Sequence, residues 1–254
     1  IYIDKSELIA KTNEVLCTEQ KYICVSRPRR FGKSMAANML AAYYDRSENT
    51  EDLFQNLAIG KDESYKEHLN QYDVIKINMQ EFLSMSGTME EMLEMLKKYL
   101  VSDFEETYPE VRFRDEKNLI QIMKDVFSYT KCPFVILIDE WDCLFREYKQ
   151  DKEAQRKYLD FLRAWLKDKD YVAMAYMTGI LPIKKYGSHS ALNMFTEYSM
   201  TDPGSLAEYF GFTEQEVFEI CEKYGMSFEK AKIWYDGYRL IVHQKEKDEC
   251  YSMY

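Results

Sequence analysis

Glycine and proline are scarce in this chain, nine and five of 254 residues. Collagen-like and disordered chains, and turn-dense all-β folds, need more of both, so those classes are excluded. Histidine is scarcer still, at three, and the six cysteines form no CxxC pair, so no zinc-type spacing is present. Reduced, mostly buried thiols in a cytoplasmic protein are the expectation. No apolar run reaches transmembrane length and no signal-peptide pattern is visible, so no membrane partner is expected. Net positive charge is also missing: the formal balance is −10. Coating a phosphate backbone takes clustered Lys and Arg, so direct nucleic-acid binding by this segment is disfavoured. Hydrophobic residues (46%) and charged residues (31%) stand in the ordinary proportion of a globular domain with a full core.

Short apolar runs alternate with amphipathic stretches. Tyr22 to Val25 is too short for a helix, and a basic loop and a helical pattern over Lys33 to Tyr44 follow it. Met35, Met39, Leu40 and Tyr43 mark the expected apolar face of that helix. Further strands are expected at Val74 to Asn78, Phe134 to Ile138, Val172 to Met177 and, more weakly, Phe195 to Met200. Helices are expected at Met89 to Phe104, Glu116 to Tyr129 and Lys152 to Leu166, with Asp4 capping a short one over Lys5 to Thr12. Phe134 to Ile138 has no polar break, as suits a parallel strand buried on both faces. The alternation predicts an α/β fold with a mostly parallel sheet. From Asp202 the pattern reads as wholly helical, with a capping box at Thr213 and Glu216 and a stop at Gly225. The Trp234, Tyr235 and Tyr238 cluster is expected to be packing.

The sharpest chemical signal is Phe31-Gly32-Lys33-Ser34, between a strand and a helix. A phosphate chain requires inward backbone N–H groups, a helix N-terminus and a cation. Gly32 permits close backbone approach, Lys33 supplies charge to the β and γ phosphates, and the Ser34 hydroxyl ligates Mg2+. The generic motif begins with glycine, and here that position is Arg27. The second signal is Asp139-Glu140, directly after the buried run. An acid at the carboxyl end of such a strand faces the ligand edge of an α/β sheet. Asp139 is assigned to Mg2+, and Glu140 to the attacking water. Thr178, after the next strand, either contacts the γ-phosphate or the water, or is only a turn residue beside Gly179. Arg27, Arg29 and Arg30 either cover phosphates, serve as an arginine finger or pair with surface acids. Lys184 and Lys185 read as a solvated turn, and His189 is not assigned a catalytic part.

Arg27 to Ser34 as a block closely resembles the loop of the bacterial AAA-ATPase-like family. The resemblance continues through Tyr2 to Ser6, Leu137 to Asp142, Thr178 to Ile183, Ser190 to Asn193, Gly211 to Val217 and Trp234 to Tyr238. The family more often has Tyr at the position of Trp141, and it shares the missing first glycine. The resemblance implies an additional-strand P-loop NTPase, a five-stranded sheet in the order 5-1-4-3-2 flanked by helices, and ATP as the nucleotide. The nucleotide-binding set is then Arg29, Arg30, Phe31, Gly32, Lys33, Ser34 and Met35, the metal set Ser34 and Asp139, and the catalytic set Lys33, Glu140 and Thr178. Residues 1–201 are expected to form the ATPase core and 202–254 a small helical subdomain. Family members often continue into a PD-(D/E)XK nuclease-like domain, so that domain, or self-association, is the partner implied. The leading expectation is ATP hydrolysis. The alternative is a nucleotide-gated switch or scaffold with little turnover.

Overall fold

A strand covered on both faces must be apolar at consecutive positions. In the computed structural model, which describes residues 2–183, 192–235, 237–242 and 249–254, the central strands meet that condition. The sheet strands are β1 (Tyr22–Ser26), β2 (Asp73–Asn78), β3 (Phe134–Asp139), β4 (Val172–Gly179) and β5 (Thr196–Tyr198). All residues of β1, β3 and β4 are buried. The sheet is parallel throughout, in the order β2-β3-β4-β1-β5. Read from the other edge, that is the 5-1-4-3-2 order implied by the resemblance.

Alternation along β3 feeds two cores. Phe134, Ile136 and Ile138 point into one, and Val135 and Leu137 into the other. The first core lies under α6 (Met89–Thr107), α7 (Leu119–Thr130) and α9 (Lys152–Leu166). The second lies under α1 (Glu7–Asn13) and α2 (Lys33–Tyr44). Short helices fill the connections: α3 (Glu51–Phe54), α4 (Tyr65–His68), α5 (Met79–Ser84) and α8 (Cys143–Glu147). Trp165 is fully buried in the first core, and its indole N–H donates to Met123 Sδ.

After β5, a 3₁₀ segment at Gly204–Tyr209 leads to α10 (Glu214–Tyr224) and α11 (Phe228–Tyr235). The Thr213–Glu216 capping box is present, and Gly225 ends α10 with φ 64°. The tail is not wholly helical, however. β6 (Tyr238–Val242) and β7 (Glu249–Met253) form an antiparallel hairpin. Each strand is only five residues long and depends on the other, so a single-strand pattern gives little signal. Leu206, Ala207, Phe210, Leu240 and Met253 join the second core. The Phe212 and Tyr254 backbones exchange hydrogen bonds of 2.9 and 2.8 Å.

Other expectations are corrected. Asp4 does not cap α1: its carboxylate accepts from Ser6 N and Ala58 N, and so ties the amino-terminal arm to residue 58. Met35 leaves the apolar face of α2 and is 68% exposed. Trp234 and Tyr235 are exposed at 83% and 68%, and Tyr238 at 51%, so the cluster is not interior packing. Cys24, Cys132, Cys143 and Cys221 are buried free thiols, while Cys17 is exposed. Lys184, Lys185, His189, Ser190, Ala191 and Asp236 lie outside the described residues. Among the described residues, no helix is long and apolar enough to cross a membrane.

Leu162, fully buried on α9, tests the first core. Leu162→Ala is expected to cost about 2–5 kcal/mol, measured as a lowered midpoint in urea unfolding at unchanged slope.

Candidate functional site

Parallel pairing aligns the carboxyl ends of four strands. Ser26 pairs with Gly179, Val25 with Thr178, and Asn78 with Asp139. Every residue just beyond these ends reaches one edge of the sheet.

From β1 the chain crosses residues 27–32 and enters α2. Gly32 stands before the first helical residue with φ 80°. A Cβ there would meet nothing within 4 Å, so the angle, not a contact, calls for glycine. The first turn of α2 itself holds no acidic residue, as suits an anion at its free N–H groups. Lys33 is 5% exposed and its Nζ donates to Pro28 O at 3.0 Å. Burial lowers its pKa below the ordinary lysine value, while Glu140, Asp139 and Asp142 pull it up.

Asp139, the last residue of β3, gathers three donors. Ser34 Oγ donates to Oδ2, Thr178 Oγ1 donates to Oδ1, and Glu140 N donates to Oδ1 at 2.9 Å. Glu140 then turns into the left-handed region, φ 53°. For a residue with a Cβ this conformation costs about 1–2 kcal/mol and redirects the side chain away from the strand. Glu140 Oε2 accepts from Arg146 Nη2 on α8. The next acid, Asp142, is fully buried, and its Oδ2 accepts from Ile180 N at 3.1 Å and Leu181 N at 2.8 Å. Trp141 is also fully buried, and its Nε1 has no hydrogen-bond partner.

Two cavities adjoin this cluster. The polar one has a volume of about 670 Å³; Lys33, Ser34, Glu140 and Arg146 line it, with Asn78 at the end of β2 and Gln80 on α5. The apolar one has a volume of about 230 Å³ and lies between the amino-terminal arm and the tail, lined by Tyr2, Ile3, Phe31, Met39, Tyr209 and Phe212. Arg30, Gly32 and Met35 belong to both.

The structure therefore brings Lys33, Ser34, Asp139 and Glu140 together. Arg29, Arg30 and Met35 are exposed on the cavity wall. Thr178 is fully buried with its hydroxyl on Asp139, so it orients that acid and does not line the cavity. Phe31 is buried against the tail: its carbonyl accepts from Gly211 N at 3.1 Å, and its ring meets Tyr238 edge-on at 5.4 Å. Arg27 does not line the polar cavity. It is fully buried, donates to Ser26 O and Tyr198 O, and lies 5.5 Å from the Phe210 ring. Burial lowers its pKa to about 10. Sequence reasoning missed Arg146, Gln80, Asn78 and Asp142. The i, i+4 spacing of Asp142 and Arg146 was the one local signal available.

Among the described residues, no group of three or more His, Cys, Asp or Glu converges as a metal site. Mg2+ needs fewer protein ligands, because phosphates and water complete its octahedron. Ser34 Oγ and Asp139 Oδ2 are two hard oxygen donors already in contact at the cavity edge, so the donor set fits that ion.

A parallel sheet in this order, with a strand–loop–helix carrying Gly32-Lys33-Ser34, defines an α/β P-loop NTPase fold. The chain belongs to the AAA-ATPase-like family, whose model, described as Predicted AAA-ATPase, matches residues 1–188. It is 24% identical over 248 residues to an uncharacterized protein in the vnfD 5' region of Azotobacter chroococcum mcd 1, an alignment covering 93% of this chain and 45% of that protein. Among solved structures, it is similar to the Aeropyrum pernix ORC1 protein, solved in complex with DNA, with TM-score 0.48, 13% identity and coverage of 88% of this chain and 50% of that one. The Aeropyrum pernix ORC2 protein, solved as ADPNP–ADP complexes, gives TM-score 0.44, 11% identity and coverage of 86% and 50%. The chain thus spans about half the length of the proteins it matches. Family membership supports nucleotide binding.

Gly179 packs against the acidic turn so closely that a Cβ would lie 2.7 Å from Trp141 Nε1 and 2.8 Å from Asp142 Oδ1. Both side chains are fully buried and have nowhere to go. Gly179→Ala is expected to cost about 1–3 kcal/mol in thermal unfolding and to weaken nucleotide binding, read by calorimetry, because the Asp139–Asp142 turn must shift.

Proposed function

We propose that this chain binds ATP with Mg2+ and hydrolyses it. The observation that carries the reading is the contact of Ser34, from the start of α2, with Asp139, from the end of β3, beside buried Lys33. Phosphates would lie in the polar cavity over the first turn of α2, with the Lys33 ammonium moving from Pro28 O to their oxygens. The base would enter the apolar cavity, which shares Arg30, Gly32 and Met35 with the polar one. Ser34 and Asp139 would hold the ion. When bound, Mg2+ would neutralise charge on the phosphate oxygens. Thr178 keeps Asp139 oriented by donating to Oδ1 and leaves Oδ2 to the Ser34 side. Glu140, on the cavity wall, would orient water for in-line attack on the γ-phosphate. Lys33 would stabilise charge that develops during transfer.

A second reading, a nucleotide-gated switch, has support of its own in Phe31. This loop residue is joined to Gly211 and Tyr238 of the tail, so a change in the loop would pull on residues far along the chain. In that case ATP would slow hydrogen exchange in both residues 27–32 and 210–213, with phosphate release near background.

Two substitutions separate binding from turnover. Lys33→Ala is expected to abolish Mg2+-dependent phosphate release and to lower ATP affinity at least tenfold. Glu140→Gln is expected to keep binding and to cut the rate constant by two or more orders of magnitude, about the scale of one acid–base group. Full turnover in Glu140→Gln would remove Glu140 from the mechanism.

A further inference from the structure

Among the described residues, four cationic ones line the polar cavity: Arg29, Arg30, Lys33 and Arg146. Three belong to the loop and α2. Arg146 is different, because it comes from α8 and its guanidinium sits on the acid assigned to water. Nη2 donates to Glu140 Oε2 and reaches Gln80 Oε1 at 3.5 Å. Nε lies 3.5 Å from Asp142 Oδ2, is buried and makes no hydrogen bond.

We propose that Arg146 is a two-position latch that reads the γ-phosphate. In the first position it holds the Glu140 carboxylate. In the second it binds the γ-phosphate and frees that carboxylate for water. The proposal rests on the ATP reading given above. Three features of the site argue for it. The guanidinium engages Glu140 Oε2, so that oxygen is poorly placed to accept from water and only Oε1 is left for the role of Glu140. A terminal phosphoryl group offers three oxygens to the planar fork, where Glu140 takes Nη2 through a single oxygen. Asp142 is fixed by two backbone N–H groups and stays beside Nε in either position, so it is the pivot. ADP has no γ-phosphate and would leave the latch closed. Arg146 would then contribute an arginine from within the chain, a part that the exposed Arg29 and Arg30 do not need to fill.

The test is calorimetric binding of β,γ-imido-ATP and of ADP, each with Mg2+, to the wild-type chain, Arg146→Gln, Glu140→Gln and the double variant. Arg146→Gln is expected to weaken the imido analogue at least tenfold, about the effect of one charge-assisted hydrogen bond, and to change ADP affinity less than about twofold. Glu140→Gln removes the competitor for the guanidinium, so it is expected to tighten the imido analogue several-fold over ADP. That tightening should vanish in the double variant. Arg146→Lys keeps the charge but not the fork, and should recover only part of the loss. Equal losses for both nucleotides in Arg146→Gln, or tightening in Glu140→Gln that survives without Arg146, would overturn the latch and leave the ATP reading standing. If Arg146→Gln fails to fold, the Glu140→Gln comparison decides alone: no preference gained for the triphosphate overturns the latch. A wild-type chain that binds neither nucleotide would sink the ATP reading and the latch with it.

Discussion

Asp139 holds three parts of the molecule at one point. Its oxygens accept from Ser34 on α2, from Thr178 on β4 and from the backbone of Glu140. The group is 7% exposed, and a carboxylate this buried is costly unless its lone pairs are satisfied. Satisfying them fixes the start of α2 against the ends of β3 and β4. It also sets where the chain must turn, and so where Glu140, Trp141 and Asp142 fall. The loop, the acidic turn and the polar cavity are consequences of that single constraint.

Much of this was legible because burial leaves a mark on composition. β3 shows itself as five apolar residues ending in an acid, and the boundaries of α2 and α9 read directly from their periodicity. The strand order did not come from periodicity; the resemblance carried it. Arg146 was not legible, because its partners Gln80 and Glu140 come from different connections and only the folded sheet brings them within reach. The sequence leaves Arg27 open between phosphates, an arginine finger and surface acids. A basic residue at the head of a phosphate loop suggests a ligand contact, yet its guanidinium turns to the carbonyl groups of Ser26 and Tyr198 and packs on Phe210. Thr178 is likewise open in sequence between a contact to the γ-phosphate or the water and a turn residue, and its hydroxyl donates to Asp139. The β6–β7 hairpin escaped because each strand is stabilised by the other.

The tail is tied to the loop from several directions. Phe31 meets Gly211 and Tyr238, Arg27 meets Phe210, and Lys5 pairs with Glu216. Leu206, Phe210, Leu240 and Met253 share a core with α2 and β1. Interiors of this density do not deform continuously, so a displacement at residues 27–32 would be passed on as a shift of whole segments.

The three tryptophans sit in three unlike surroundings. Trp165 is in the core, stacked on Phe161. Trp141 is equally dry but lies beneath the acidic turn, and Trp234 stands in solvent on α11. Indole emission moves to the blue in apolar surroundings and to the red in water. The molecule therefore carries its own optical labels. Emission from Trp234 is expected at the red edge and open to an aqueous quencher, so that it follows the tail, while Trp141 and Trp165 are expected to contribute a shielded blue band. Within that band, Trp141 is the chromophore next to Asp142, so events at the strand ends can be followed in unlabelled protein by light alone.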